Sequence, residues 1–179
     1  MKNCVQIFIA LIVMAILAGS VFAGIRRNKH KTMMPNSQLT EVRILSYGMI
    51  AQPLYSYRVK SEKDGTVTCA YFDQSRNCYV RCRVKAELLD EMRAVIESHK
   101  MYRYKRLYTN PDVLDGISWK FEVIFADGQS LYSSGSNAWP RDNGCEILRD
   151  MCAEAVASGV YLSLANEQGE AIPEPADGE

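Results

Sequence analysis

Over much of residues 41–85 the chain alternates apolar and polar side chains with a period of two. The clearest run begins at Cys78, and it sets one apolar face against one basic and aromatic face: Cys78, Val80, Cys82 and Val84 against Tyr79, Arg81, Arg83 and Lys85. Shorter runs of the same kind centre on Val42, Tyr57 and Cys69. One apolar and one solvated face is typical of an antiparallel sheet. This region therefore predicts four short strands in a meander.

A second alternating stretch, residues 117–140, contains a strong turn signal. Its apolar face carries four side chains separated by polar ones: Trp119, Phe121, Val123 and Phe125. The chain then reaches Asp127-Gly128 and returns through Leu131 and Tyr132. Alternation that runs into an Asp-Gly pair predicts a β-hairpin.

Two further stretches change to the helical period. Residues 86–99 place one apolar stripe against charged positions, and the stripe consists of Leu88, Leu89, Met92, Val95 and Ile96. This spacing predicts an amphipathic helix. After Pro140 a second stripe follows: Cys145, Leu148, Met151, Cys152, Ala155 and Val156. Asn143 with Glu146 three residues later fits a capping box, and Gly159 is a suitable terminator.

The order of these elements indicates the fold class. Runs of strands separated by single helices, with hairpin-length loops, favour α+β over alternating βαβ units. The sequence predicts an antiparallel sheet of about five to six strands with two helices packed on one face. This globular domain is predicted to span residues 41–162, with residues 101–108 as one further strand.

Residues 1–23 start with Lys2 and continue through an almost uninterrupted apolar run from Val5 to Ala23, broken only by Gln6, Gly19 and Ser20. As a signal peptide, the segment has a basic start and small residues at its end. As a transmembrane anchor, the 19 residues from Val5 to Ala23 are close to the roughly 20 that cross a bilayer. The length favours an anchor through residues 5–23. The domain is then membrane-anchored in a single pass or secreted, and the side of the membrane stays open.

Charge divides the rest of the chain into three parts. Residues 24–40 begin with a basic cluster and continue as a polar linker, whereas residues 163–179 hold five acids and no base and predict a disordered tail. Residues 32–162 carry 16 basic and 16 acidic side chains. A neutral domain argues against a dedicated nucleic-acid binder.

Candidate chemistry is sparse. Five cysteines fall on apolar faces, which favours reduced core cysteines, although Cys69 could pair with Cys78 or Cys82 across neighbouring strands. The spacings give no metal site, no cofactor site and no catalytic residue. A small cysteine- or serine-dependent hydrolase is the alternative, and it would require His99 to act as the base.

One basic and aromatic stretch is the candidate binding surface. Residues 99–108 interleave bases with tyrosines, and the side chains that could bind are Lys100, Tyr102, Arg103, Tyr104, Lys105 and Arg106. They could hold nucleic acid or another anionic surface, or they could protect a sheet edge from pairing. Trp139 could be an exposed anchor for a protein partner, or it could pack under the last helix.

The hairpin region also carries a resemblance. The matching residues are Trp119, Phe121, Phe125, Asp127, Gly128, Ser134, Gly135, Asn137 and Pro140. This pattern resembles a group of uncharacterised small exported or membrane-attached bacterial α+β domains. The resemblance implies an envelope-associated α+β protein and carries no activity. Together, these observations lead to the hypothesis of a membrane-anchored or exported non-catalytic module that binds another macromolecule.

Overall fold

A computed structural model describes residues 33–48, 53–113 and 116–173. In these ranges nine strands form one sheet, with two α-helices and one short 3₁₀ turn. The elements are β1 Leu39–Tyr47, β2 Pro53–Ser61, β3 Val67–Asp73, β4 Cys78–Arg83, α1 Leu88–Ser98, the 3₁₀ turn Met101–Arg103, β5 Leu107–Thr109, β6 Ser118–Phe125, β7 Ser130–Ser136, α2 Gly144–Ala157, β8 Val160–Ala165 and β9 Ala171–Ile172. The strand order is β5-β7-β6-β1-β2-β3-β4-β8-β9.

The α+β class is confirmed, but the prediction of five to six antiparallel strands is wrong. The described part of the sheet has nine strands, and β5 lies parallel to β7 with Leu107 opposite Ser134. The extra strands lie at the two ends of the sheet, where short strands give little local signal. Residues 101–108, predicted as one strand, form the 3₁₀ turn and only the beginning of β5.

The end of the domain also differs from the prediction. β8 continues to Ala165 and pairs with β4, and β9 pairs with β8. Residues 163–173, expected to be part of a disordered tail, are therefore ordered. The pairing of β8 with β4 explains the difference, because β4 lies in the middle of the chain and no local pattern reveals that pairing.

Both helices pack on one face of the sheet. The pairing register places Val123, Val42, Val59, Cys69 and Cys82 in a row across five strands on this face. All five are buried, and the predicted apolar stripes of α1 and α2 cover them. The two stripes and the hairpin of β6 and β7 are thus confirmed.

The first turn of α2 is capped differently from the prediction. The Asn143 side chain makes no capping hydrogen bond. Instead, the carboxylate of Asp142 accepts a hydrogen bond of 2.9 Å from the Gly144 amide. An acidic group near a helix N-terminus also interacts favourably with the helix dipole.

Neither helix in the described ranges is long and apolar enough to cross a membrane. The predicted span, residues 5–23, lies outside the described residues, as does most of the predicted basic linker. The face of the sheet opposite the helices carries charged side chains, among them Glu41, Arg43, Arg58 and Arg81. We call this surface the open face.

Candidate functional site

The predicted binding stretch begins where α1 ends. Lys100 adopts a left-handed conformation with φ of 52° and allows the chain to turn. The 3₁₀ turn then places Met101 in the core, where it is 1% exposed. The chain emerges at Tyr104 and reaches β5 at the edge of the sheet. The alternation of residues 101–108 thus results from a turn that inserts one methionine, and not from a strand.

The tyrosines of this stretch pack inward. The Tyr104 ring lies 6.2 Å from the Phe121 ring in an edge-to-face arrangement, and the Tyr108 ring lies 5.8 Å from Trp119. These are usual distances for aromatic pairs in a core. Tyr104 and Tyr108 therefore secure β5 to the helix-covered face, and both side chains are partly buried.

The bases of the same stretch point outward. Lys100, Arg103, Lys105 and Arg106 are all exposed, and no acid occurs between His99 and Pro111. Within the described residues none of these four bases forms an ion pair, although Arg103 stacks on the Tyr102 ring at 5.6 Å. We call these four bases, together with Leu107, the basic edge.

Exposed apolar side chains accompany the basic edge. Leu107, the first residue of β5, is 60% exposed, and Trp139, three residues beyond β7, is 48% exposed. β5 and β7 are paired as far as Thr109 and Ser136, and Trp139 follows in the segment after β7. Trp139 is therefore not packed under α2, and it remains available to a partner.

A hydrogen-bonded corner fixes the chain beside Trp139. The indole nitrogen of Trp119 donates to the Ala138 carbonyl at 2.7 Å. Asn137, with φ of 53°, accepts a hydrogen bond of 2.9 Å from the Ile117 amide through its side chain. The corner presents Trp139 from a rigid backbone, which lowers the entropy lost when an anchor residue binds.

His99 lies beside a carboxylate and not beside a nucleophile. Its Nδ1 is 3.8 Å from the Asp142 carboxylate, which also accepts a hydrogen bond from the Tyr104 hydroxyl. Burial, together with this bond to Asp142, raises the pKa of Tyr104. Among the described residues no hydrogen bond joins His99 to a serine or cysteine. Asp142 therefore caps α2, and its contacts with His99 and Tyr104 join α2 to the chain on both sides of the 3₁₀ turn.

The Cys145 thiol is poorly suited to nucleophilic attack. Burial raises the pKa of Cys145 to about 12, and the carboxylates of Asp142 and Glu146 add to the effect. A reactive cysteine needs the opposite shift, toward thiolate at neutral pH. The five cysteines in the described ranges are all free, and Cys69 lies opposite Cys82 on paired strands. No cluster in these ranges could hold a metal ion.

The structure thus brings together only part of the predicted surface. The four bases lie in the segment that leads into β5, Trp139 lies in the segment after β7, and Tyr104 packs against Phe121. The outward bases of β2 and β4 were not predicted to form a site, because outward bases on alternating strands are usually solvated. These bases are Arg58, Lys60, Arg81 and Arg83. Comparison with family models, curated proteins and solved structures gives no match to this chain.

Proposed function

We propose that this protein is a non-catalytic module that binds another macromolecular surface, and that this surface is an anionic lipid bilayer. The observation that supports it is that basic and apolar side chains are exposed together at the basic edge. Four exposed bases, which form no ion pair within the described residues, accompany exposed Leu107, and exposed Trp139 lies in the segment after β7. Basic residues attract anionic headgroups, while tryptophan and leucine insert at the lipid boundary.

Nucleic acid fits this edge less well. Binding of single strands without sequence preference combines a basic groove with aromatic faces on which bases stack. Here the rings of Tyr104 and Tyr108 pack against Phe121 and Trp119. The exposed aliphatic side chain of Leu107 cannot bind a phosphate group. The edge therefore offers charge and apolar anchors, which suits a bilayer better than a nucleic acid.

The predicted N-terminal segment would strengthen such contact. If residues 5–23 anchor the chain, the domain is held near the bilayer by a linker of modest length. A weak surface contact then becomes effectively intramolecular, and its local concentration is high. Each base near the surface adds about 1 kcal/mol of attraction to anionic lipid. Four bases and two apolar anchors are enough for a stable orientation of an already tethered domain.

The two tryptophans allow a direct test. Trp119 is 3% exposed and Trp139 is 48% exposed, so a quencher in the lipid can reach only Trp139. We would place the full-length chain in nanodiscs that contain brominated lipid, with either neutral or anionic headgroups. Tryptophan emission should be quenched more strongly in the anionic discs. The Trp139→Phe variant should show no such difference.

A charge-reversed pair of variants tests the role of the edge. Lys105→Glu should weaken the quenching in anionic discs, whereas Lys63→Glu, an exposed lysine between β2 and β3, should leave it unchanged. Equal quenching in neutral and anionic discs would overturn the proposal. So would salt-sensitive binding to a single-stranded oligonucleotide that displaces the lipid contact, because the edge would then serve nucleic acid.

A further inference from the structure

The open face carries a charged row that the pairing register defines. Glu122, Arg43, Arg58, Ala70, Arg81 and Ser163 lie opposite one another across six strands. Like charges directly opposite each other destabilise a sheet, as Arg43 and Arg58 would. Glu41 compensates them, because its carboxylate accepts hydrogen bonds from both guanidinium groups. Arg81, two strands from Arg58, lies outside this group.

The turn between β8 and β9 folds over the open face beside Arg81. Gly169 comes so close to β3 that a Cβ at this position would lie 2.9 Å from the Ala70 side chain. Asn166 holds the turn, since its side chain accepts a hydrogen bond from the Glu170 amide at 2.9 Å. Ala70 and Gly169 thus form a narrow contact, and a cleft of about 250 Å³ opens next to it.

The cleft has more cations than anions. It is lined by three basic and two acidic side chains: Arg58, Lys60, Arg81, Glu62 and Glu170. Both acids are already engaged. Glu62 accepts hydrogen bonds of 2.8 Å from Thr68 and from Arg81, and Glu170 accepts one of 2.9 Å from Asn166. The bases are engaged as well, because Arg58 pairs with Glu41, and Lys60 and Arg81 pair with Glu62. Among the charged lining side chains, the three bases still outnumber the two acids.

Two buried polar atoms beside the cleft have no partner within the described residues. They are the Nε of Arg81, which lines the cleft, and the hydroxyl oxygen of Ser163, which is not a lining residue. These two residues are directly opposed on β4 and β8. A buried polar group without a partner is costly, and nearly all such groups in proteins are hydrogen-bonded. A water molecule or a bound ligand group could supply the partners at this position, next to the cationic cleft.

We propose that this cleft binds an anionic group of the size of a carboxylate or a phosphate, between Arg58, Lys60 and Arg81. Its oxygens would accept hydrogen bonds from the Arg81 guanidinium, including Nε–H, and from the Ser163 hydroxyl. The volume suits one such group or the charged end of a longer ligand, and the turn around Gly169 limits entry from above. This site is separate from the basic edge and does not depend on bilayer binding.

Ligand-observed NMR tests the site in the full-length chain in detergent micelles. Methylphosphonate and acetate are suitable probes, because saturation of the protein is transferred to their methyl protons when they bind. Trimethylammonium serves as the cationic control. We expect transfer to one or both anions and none to the cation. A stronger effect with methylphosphonate indicates a phosphate ligand, and a stronger effect with acetate indicates a carboxylate ligand.

Variants localise the signal. Arg81→Gln should weaken anion binding about tenfold, since a charge-assisted hydrogen bond is lost, and Ser163→Ala roughly threefold. Arg83→Gln is the matched control, because Arg83 is an exposed arginine two residues along the same face of β4. Ser163→Ala removes a hydroxyl that has no hydrogen-bond partner within the described residues, so we expect it to leave the fold unchanged.

Three results would overturn the inference. They are binding that survives Arg81→Gln in a folded chain, an equal loss in Arg83→Gln, and equal transfer to the cationic probe. The second would mean only diffuse attraction to a basic surface. Lys105→Glu should leave the NMR signal intact, so failure of the bilayer proposal and failure of the anion site are distinguishable.

Discussion

Trp119 occupies the space that a side chain at Gly135 would need. The two residues lie opposite each other on β6 and β7, and a Cβ on residue 135 would be 2.3 Å from the indole Nε1. The same Cβ would be 2.4 Å from the Ala138 carbonyl, which accepts the indole hydrogen bond. Glycine at position 135 thus allows the corner that presents Trp139.

We expect Gly135→Ala to destabilise the domain by about 2–3 kcal/mol, because it overpacks a rigid site and breaks the indole bond. The free energy of denaturant-induced unfolding measures this loss. Gly48→Ala is the control, since its Cβ would meet only the Leu54 side chain at an ordinary 3.5 Å. If both variants unfold at the same denaturant concentration, Trp119 does not depend on Gly135 as described.

Asp142 should stabilise the domain through several bonds at once. It caps α2, accepts the Tyr104 hydroxyl and lies near His99. We expect Asp142→Ala to cost about 2 kcal/mol, since a cap and a hydrogen bond to a charged group are both removed. Asn143→Ala should have a smaller effect, because the Asn143 side chain makes no capping bond. A larger loss in Asn143→Ala would restore the capping box that the sequence predicts.

Glu62 predicts a dependence of stability on pH. Burial alone would raise the pKa of Glu62, but hydrogen bonds from Thr68 and Arg81 outweigh it and lower the pKa below its ordinary value. A lowered pKa stabilises the folded state above the unfolded-state value of about 4.3, and this contribution disappears as the pH falls through the lower folded-state pKa.

The variant Glu62→Gln isolates that contribution. We expect it to be less stable than the parent chain by about 1 kcal/mol at neutral pH, and the gap should close at low pH where Glu62 is protonated. Urea unfolding between neutral and acidic pH gives the comparison. A gap that is constant with pH would show that the loss is one of packing and not of charge.

Thiol chemistry should distinguish the five described cysteines. Cys69, Cys82 and Cys152 are buried. Cys145 is only partly buried, but burial and the nearby carboxylates of Asp142 and Glu146 raise the pKa of its thiol to about 12, which disfavours the reactive thiolate. We therefore expect Cys78 to react first with a thiol reagent, as read by peptide mass mapping. Faster labelling of Cys145 than of Cys78 would contradict the structure around Asp142.

The local sequence pattern was enough to predict the elements whose partners are near in the chain. The hairpin of β6 and β7 follows from Trp119, Phe121 and the Asp-Gly turn, and both helix stripes follow from their 3.6-residue period. The prediction of a strand over residues 101–108 was wrong. A 3₁₀ turn that buries Met101 between exposed bases gives the same alternation of buried and exposed positions as a strand. The local pattern also missed β8, since its residues Val160, Tyr161 and Leu162 do not alternate.

The sequence by itself determined the α+β class, the inner face of each main strand and helix, and the excess of bases between His99 and Pro111. These depend on hydrophobic period and charge, which are local properties. Only the tertiary structure decided that Tyr104 turns inward while Trp139 stays exposed, and that Ser163 comes opposite Arg81. Such placements depend on pairing between strands far apart in the chain. Their register is set by the burial of the whole face, which no local segment encodes.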